Sequence, residues 1–73
     1  MARPSNQPTP PDLEAAIRAR TLGRALEINR GLIATLRVVE GDLGSGNHLA
    51  ALGGIDGIER KIGEMRSLLL LLR

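Results

Sequence analysis

A glycine-rich run near the middle of the chain has the composition closest to that of a ligand-binding motif. Residues 41–47 read GDLGSGN and precede an apolar stretch typical of a helical turn. Backbone N–H groups at the start of a helix can bind phosphate. A Walker loop, however, needs a Gly-Lys-Ser/Thr ending and a preceding strand, and the run has neither. We therefore do not expect nucleotide binding.

The other reactive side chains are few and isolated along the chain. His48 is the only histidine and there is no cysteine, so the ligand spacing of a zinc site is missing. Ser5, Ser45 and Ser67 occur in no pattern that frames a catalytic nucleophile. The sequence predicts no catalytic residues, no metal site and no cofactor. We expect that the protein is not an enzyme.

Arginine dominates the basic residues, since the ten Lys and Arg side chains include one lysine, Lys61. Arginine suits bidentate contacts to carboxylate or phosphate, but eight acidic residues leave a net charge of only +2. A GC-rich genome would explain the same bias without a function. If an oligomer multiplied these charges, weak and sequence-tolerant DNA binding would follow. The candidate nucleic-acid contacts are Arg18, Arg20, Arg24, Arg30 and Arg37.

Composition limits the chain to one small helical domain. Its 73 residues include no aromatic residue, and valine and threonine, which favour strands, are scarce. The large apolar residues are mostly leucine and isoleucine, and no disulfide can hold them together. A domain of this size is marginally stable alone. The sequence therefore predicts an all-α fold that is stabilised by helix packing.

A proline-rich segment precedes the predicted domain. All four prolines lie within the first eleven residues, and we interpret residues 1–9 as an extended or disordered arm. No apolar stretch of secretory type follows the start, so we expect a cytoplasmic location. Thr9-Pro10-Pro11-Asp12 is typical of a helix start, with Thr9 as the cap and Pro10 at the first helical position. Residues 10–73 then form the single domain.

The first predicted helix runs from about residue 10 to residue 40 and is amphipathic. Its apolar arc is wide enough for more than one partner helix. Gly31 costs about 1 kcal/mol relative to alanine within a helix, so a break at Asn29–Gly31 is an open alternative. The apolar pattern continues across Gly31, which favours one helix. The arc comprises Thr21, Leu22, Ala25, Leu26, Ile28, Leu32, Ile33, Leu36 and Val39.

A glycine-rich connection is predicted over residues 41–54, with a short helical turn at 47–52. The last helix follows, and its apolar residues are spaced alternately by three and four positions, a heptad pattern. From Leu68 to Leu72 every residue is leucine, which is far too short to span a membrane. The heptad positions are Ile55, Ile58, Ile62, Met65, Leu69 and Leu72.

These elements predict an antiparallel helical hairpin that oligomerises into a bundle or ring, because two helices alone enclose no core. We expect a structural or adaptor protein that self-associates and engages a larger protein partner. The alternative is the weak DNA binding described above. Small helical-hairpin oligomers occur among phage packaging factors and small regulators, which is an analogy of fold only. The predicted interface residues are Leu22, Leu26, Ile28, Leu32, Ile33, Leu36, Val39, Ile55, Ile58, Ile62, Met65, Leu69 and Leu72.

Overall fold

The protein folds as two packed antiparallel helices. The computed structural model describes residues 10–73, with side chains from Asp12 onward. Helix α1 spans Pro10–Gly44 and helix α2 spans His48–Leu70, and no strand occurs in this range. The predicted all-α helical hairpin is confirmed. The arm predicted at 1–9 and the cap predicted at Thr9 lie outside the described residues.

The connection is much shorter than the sequence predicted. It consists of residues 45–47, so the prediction of a connection over 41–54 is wrong. Gly46 has φ of 80°, and the N–H groups of Gly46 and Asn47 donate to the carbonyls of Leu43 and Asp42. This is a Schellman ending, in which glycine takes the left-handed position. The Asn47 side chain then accepts a hydrogen bond from Ala50 N at 3.2 Å and caps α2.

Several glycines of the predicted connection lie inside the helices. Gly41 and Gly44 belong to α1, which runs to Gly44 rather than to about residue 40, and Gly53 and Gly54 belong to α2. Each costs about 1 kcal/mol relative to alanine, which tertiary packing outweighs. The helix also continues through Gly31, so the favoured interpretation of one continuous α1 is correct.

The hairpin core lies between the two helices and contains small side chains. The buried residues on α1 recur every three or four positions, and half-buried Thr21 and Thr35 continue the same line. Met65 and Leu68 pack against this cluster from α2. The hairpin contact therefore follows one heptad line on each helix. The buried residues are Ala25, Ile28, Leu32, Val39, Ala51 and Ile58.

The predicted heptad line of the last helix divides into two sets. Ile58 is buried and Met65 and Leu72 are half-buried, which places these three toward the helix contact. Ile55, Ile62 and Leu69 are 40%, 46% and 44% exposed. The six residues therefore do not all lie in the contact between the two helices. The residues of α2 that contact α1 also include Ala51, Gly54 and Leu68. The heptad spacing of the large residues does not include these three positions.

Gly54 allows the two helix backbones to approach each other. A Cβ placed on Gly54 would lie 2.6 Å from Val39 Cγ2, whereas one placed on Gly53 would meet nothing within 4 Å. Val39 is the most deeply buried residue of α1, at 4% exposure. Its branched side chain has one strongly preferred rotamer in a helix, so it cannot turn away without strain.

We expect Gly54→Ala to destabilise the hairpin by about 1–3 kcal/mol, because the added methyl group overpacks the contact with Val39. The matched control is Gly53→Ala, which removes a helix-interior glycine without a clash. We expect it to stabilise the protein by up to about 1 kcal/mol. Urea unfolding followed by circular dichroism measures both. Equal effects of the two substitutions would contradict the close approach.

Candidate protein-interaction face

One side of the hairpin is polar and is spanned by an ion pair between the helices. Arg24 Nη2 lies 3.9 Å from Glu64 Oε2, and Arg24 and Lys61 also approach Glu27 and Glu64 within their own helices. These side chains are about half exposed or more, so each pair contributes at most about 1 kcal/mol. The interhelical pair nevertheless marks which residues of α1 and α2 share a side.

The opposite side of the hairpin carries an apolar surface that we call the open face. Arg24 and Glu64 each come directly before a core residue, Ala25 and Met65. A step of one residue turns a helix by about 100°, so residues directly after core positions lie on the other side. Large aliphatic residues occupy these positions on both helices. The open face comprises Leu22, Leu26, Ile33, Leu36 and Leu43 on α1, and Leu52, Ile55, Ile62 and Leu69 on α2.

The side chains of the open face are between 40% and 62% exposed. They continue along the length over which the helices pack, from Leu43 and Leu52 near the connection to Leu22 and Leu69 near the other end. Contiguous aliphatic surface of this kind marks an interaction site in a small protein. The sequence analysis included most of these residues but omitted Leu43 and Leu52, because both lay in the predicted connection. Continuing the heptad spacing backwards from Ile55 would have reached Leu52.

Four polar residues interrupt the open face at heptad-related positions. They are Asn29 and Glu40 on α1 and Glu59 and Arg66 on α2, and all four are exposed. Arg30 and Arg37 border the face on α1, and Asp56 borders it on α2, since each of the three lies both one and four residues after a position of the face. The rim of the face is thus basic on α1 and acidic next to Ile55 on α2.

Four of the other predicted interface residues lie in the hairpin core, whereas Met65 packs against that core and Leu72 is half-buried. Ile28, Leu32, Val39 and Ile58 are buried by the partner helix of the same chain. They are therefore covered already, whereas the residues of the open face are not.

The predicted nucleic-acid contacts do not form a single patch. All of them are exposed, but they lie at different angles around α1. Arg24 faces the Glu64 side, Arg30 and Arg37 border the open face, and Arg18 and Arg20 lie on the part of α1 before the helix contact begins.

Comparison of the chain with protein-family models, curated proteins and solved structures finds no significant match.

The geometry of the described residues brings together no constellation for catalysis. Within residues 10–73, no three His or acidic residues group closely enough to hold a metal ion. His48 is exposed at the first position of α2. On the polar side, Gly31, Thr35, Gly57 and Lys61 line a small groove, and the Thr35 hydroxyl already donates to the Gly31 carbonyl at 3.0 Å. Neither helix has a stretch that is long and apolar enough to cross a membrane.

The N-terminal part of α1 extends past the end of α2. Every described side chain from Asp12 to Arg20 is exposed, and burial begins at Thr21. Leu13 and Ile17 in this segment are 52% and 53% exposed. A shallow groove where the two helices part is lined by Ile17, Leu71 and their neighbours. The hairpin therefore has a second apolar surface at the end far from the connection.

Proposed function

We propose that the protein is a non-enzymatic assembly protein that self-associates through the open face and uses its free α1 end to engage a larger protein. The observation that supports self-association is the exposure of nine large aliphatic side chains on one side of a two-helix hairpin. Burying the side chain of a leucine or isoleucine contributes about 1.5–3 kcal/mol. A second hairpin placed against this face would complete a four-helix bundle.

The composition of the hairpin core supports the need for a second copy. Its six buried residues include two alanines, and each of the six is still 4–8% exposed. A domain below about 70–80 residues rarely obtains more than 3–5 kcal/mol from one core. Most of the leucines are between 44% and 75% exposed in the hairpin. Oligomerisation is a common way for small scaffolds to reach useful stability.

Engagement of a larger protein is the second part of the proposal. The exposed Leu13 and Ile17 on α1 and Leu70 and Leu71 at the end of α2 remain outside a bundle built on the open face. An apolar helix end of this kind suits docking into a groove of another protein.

Sedimentation equilibrium of the full chain across a range of micromolar concentrations tests self-association. We expect a reversible dimer whose helical signal and thermal midpoint rise with concentration, because association and folding are linked. A helical monomer throughout that range would overturn the proposal. Repeating the experiment with duplex DNA at low and moderate salt tests the alternative function, for which salt-sensitive cosedimentation is the expected result.

Asn29 provides a further prediction about the assembly. In the hairpin this side chain is exposed within the line of the open face, and in a dimer it would lie among leucines. A buried asparagine fixes register or oligomer state and lowers stability. We therefore expect Asn29→Leu to admit species larger than the dimer, because the asparagine no longer selects one register. An unchanged oligomer state together with higher solubility would contradict this role, and sedimentation velocity distinguishes the outcomes.

A further inference from the structure

We infer that the second copy binds in one specific orientation, in which α1 of each copy lies against α2 of the other and both connections are at the same end. This inference rests on the proposed self-association and goes beyond it by specifying which surfaces meet. Two hairpins can place their open faces together with twofold symmetry in two ways. In the second way, the connections are at opposite ends, and α1 packs on α1 while α2 packs on α2.

The height of each residue along the hairpin follows from the contact between Gly54 and Val39. Because the helices are antiparallel, each step back from Val39 matches a step forward from Gly54. Arg37 is two residues before Val39 and Asp56 is two residues after Gly54. These two side chains are therefore at the same height, on the outer edges of the open face.

In the orientation with both connections at one end, heights are preserved between the two copies. Arg37 of each copy then borders the same helix contact as Asp56 of the other, and Glu59 lies at a height between Arg30 and Arg37. The geometry has a precedent within the hairpin, where Arg24 and Glu64 border the contact of two antiparallel helices and approach to 3.9 Å. Each dimer would contain the Arg37–Asp56 pairing twice.

Two of the four polar interruptions of the face also come together in this orientation. Asn29 is ten residues before Val39 and Arg66 is twelve residues after Gly54. Their heights differ by two residues, about 3 Å along a helix. The asparagine carbonyl oxygen of one copy would thus lie within reach of the guanidinium of the other. Two polar groups that must be covered together are better placed next to each other than next to leucine.

The orientation with connections at opposite ends places like charges together. The basic rim of α1, with Arg30 and Arg37, would border the same rim of the other copy. Because heights are reversed in this orientation, Arg30 of one copy lies within about two residues of the height of Arg37 of the other when the two faces overlap fully. Like-charge juxtaposition across an interface disfavours that arrangement, and charge patterns of this kind commonly select partner orientation.

Charge reversal at Arg37 tests the inference, because the two orientations predict opposite changes in the dimer dissociation constant. We expect Arg37→Glu and Asp56→Arg each to raise the dimer dissociation constant about tenfold at low salt, and the double variant to restore it. In the other orientation, Arg37→Glu would relieve repulsion and tighten the dimer. Arg60→Glu is the matched control, since it makes the same change in net charge on the side of α2 away from the open face.

A distance measurement gives a second and independent result. The chain has no native cysteine, so a single spin label can be placed at His48→Cys beside the connection. With both connections at one end, the two labels lie about two helix diameters apart, roughly 20 Å. At opposite ends they would be separated by about 35 Å, the length of α2. A long distance, or a dimer tightened by Arg37→Glu, overturns the inference, whereas a wild-type protein that is monomeric overturns the proposed function instead.

Discussion

Ile33→Glu is expected to convert the assembled protein into monomers. Ile33 lies in the middle of the open face and is 45% exposed in the isolated hairpin. A glutamate there is tolerated in the monomer, because its carboxylate remains in water. In the dimer the same carboxylate would be removed from water, which costs several kcal/mol per ion and which Arg30 and Arg37 at the rim offset only in part. Because the substitution occurs twice in each dimer, we expect the dissociation constant to rise at least about a thousandfold.

Val38→Glu is the matched control for this prediction. Val38 is also an aliphatic residue of α1 and is 63% exposed, but it directly precedes Val39 and so lies on the same side as Arg24. We expect Val38→Glu to change the dimer affinity less than about threefold. Sedimentation equilibrium measures association, and circular dichroism confirms that both variants remain helical. Equal loss of association in the two variants would contradict the assignment of the open face.

The helical hairpin and much of the open face could be predicted from the sequence. The absence of aromatic residues and the spacing of leucine and isoleucine indicate helices that pack on each other. The width of the apolar arc on α1, from Leu22 to Val39, indicated more than one partner helix. That width corresponds to two adjacent heptad lines, one for the hairpin contact and one for the open face.

The division between these two lines was not predictable from residue size alone. The hairpin contact uses Ala25, Ala51 and Gly54, which contribute little hydrophobicity but allow the backbones to approach closely. The larger Ile55 and Ile62 share one heptad spacing with Ile58, yet they lie on the open face. The close approach of Gly54 and Val39 determines which residues of α2 face α1. This approach depends on the register of the two helices, which residue size does not reveal.

The length of the connection was also missed, for a related reason. Gly41, Gly44, Gly53 and Gly54 resemble loop residues when each is judged by helix propensity. Propensity is a weak local preference that packing overrides. Only Gly46 takes a backbone conformation that favours glycine, with φ of 80°.

Alanine substitutions at Ile58 and Ile55 are expected to have different effects on the free energy of unfolding, because Ile58 lies in the hairpin core and Ile55 on the open face. Ile58 is 8% exposed in the hairpin, while Ile55 is 40% exposed on the open face. In a monomeric Ile33→Glu background, Ile58→Ala should lower the free energy of unfolding by about 2–5 kcal/mol, because it leaves a cavity in the core. Ile55→Ala should lower it by less in the same background, because that side chain is 40% exposed and its truncation leaves no enclosed cavity in the monomer.

The relative destabilisation by Ile55→Ala and Ile58→Ala changes when the chain can associate. Ile55→Ala then removes apolar area that only the dimer buries, so its effect on stability should grow with protein concentration. Ile58→Ala should reduce stability by a similar amount at every concentration. Urea unfolding at two protein concentrations, in both backgrounds, measures the four effects. If Ile55→Ala were equally destabilising in the monomeric background, Ile55 would belong to the hairpin contact and the open face would be smaller than the exposed side chains indicate.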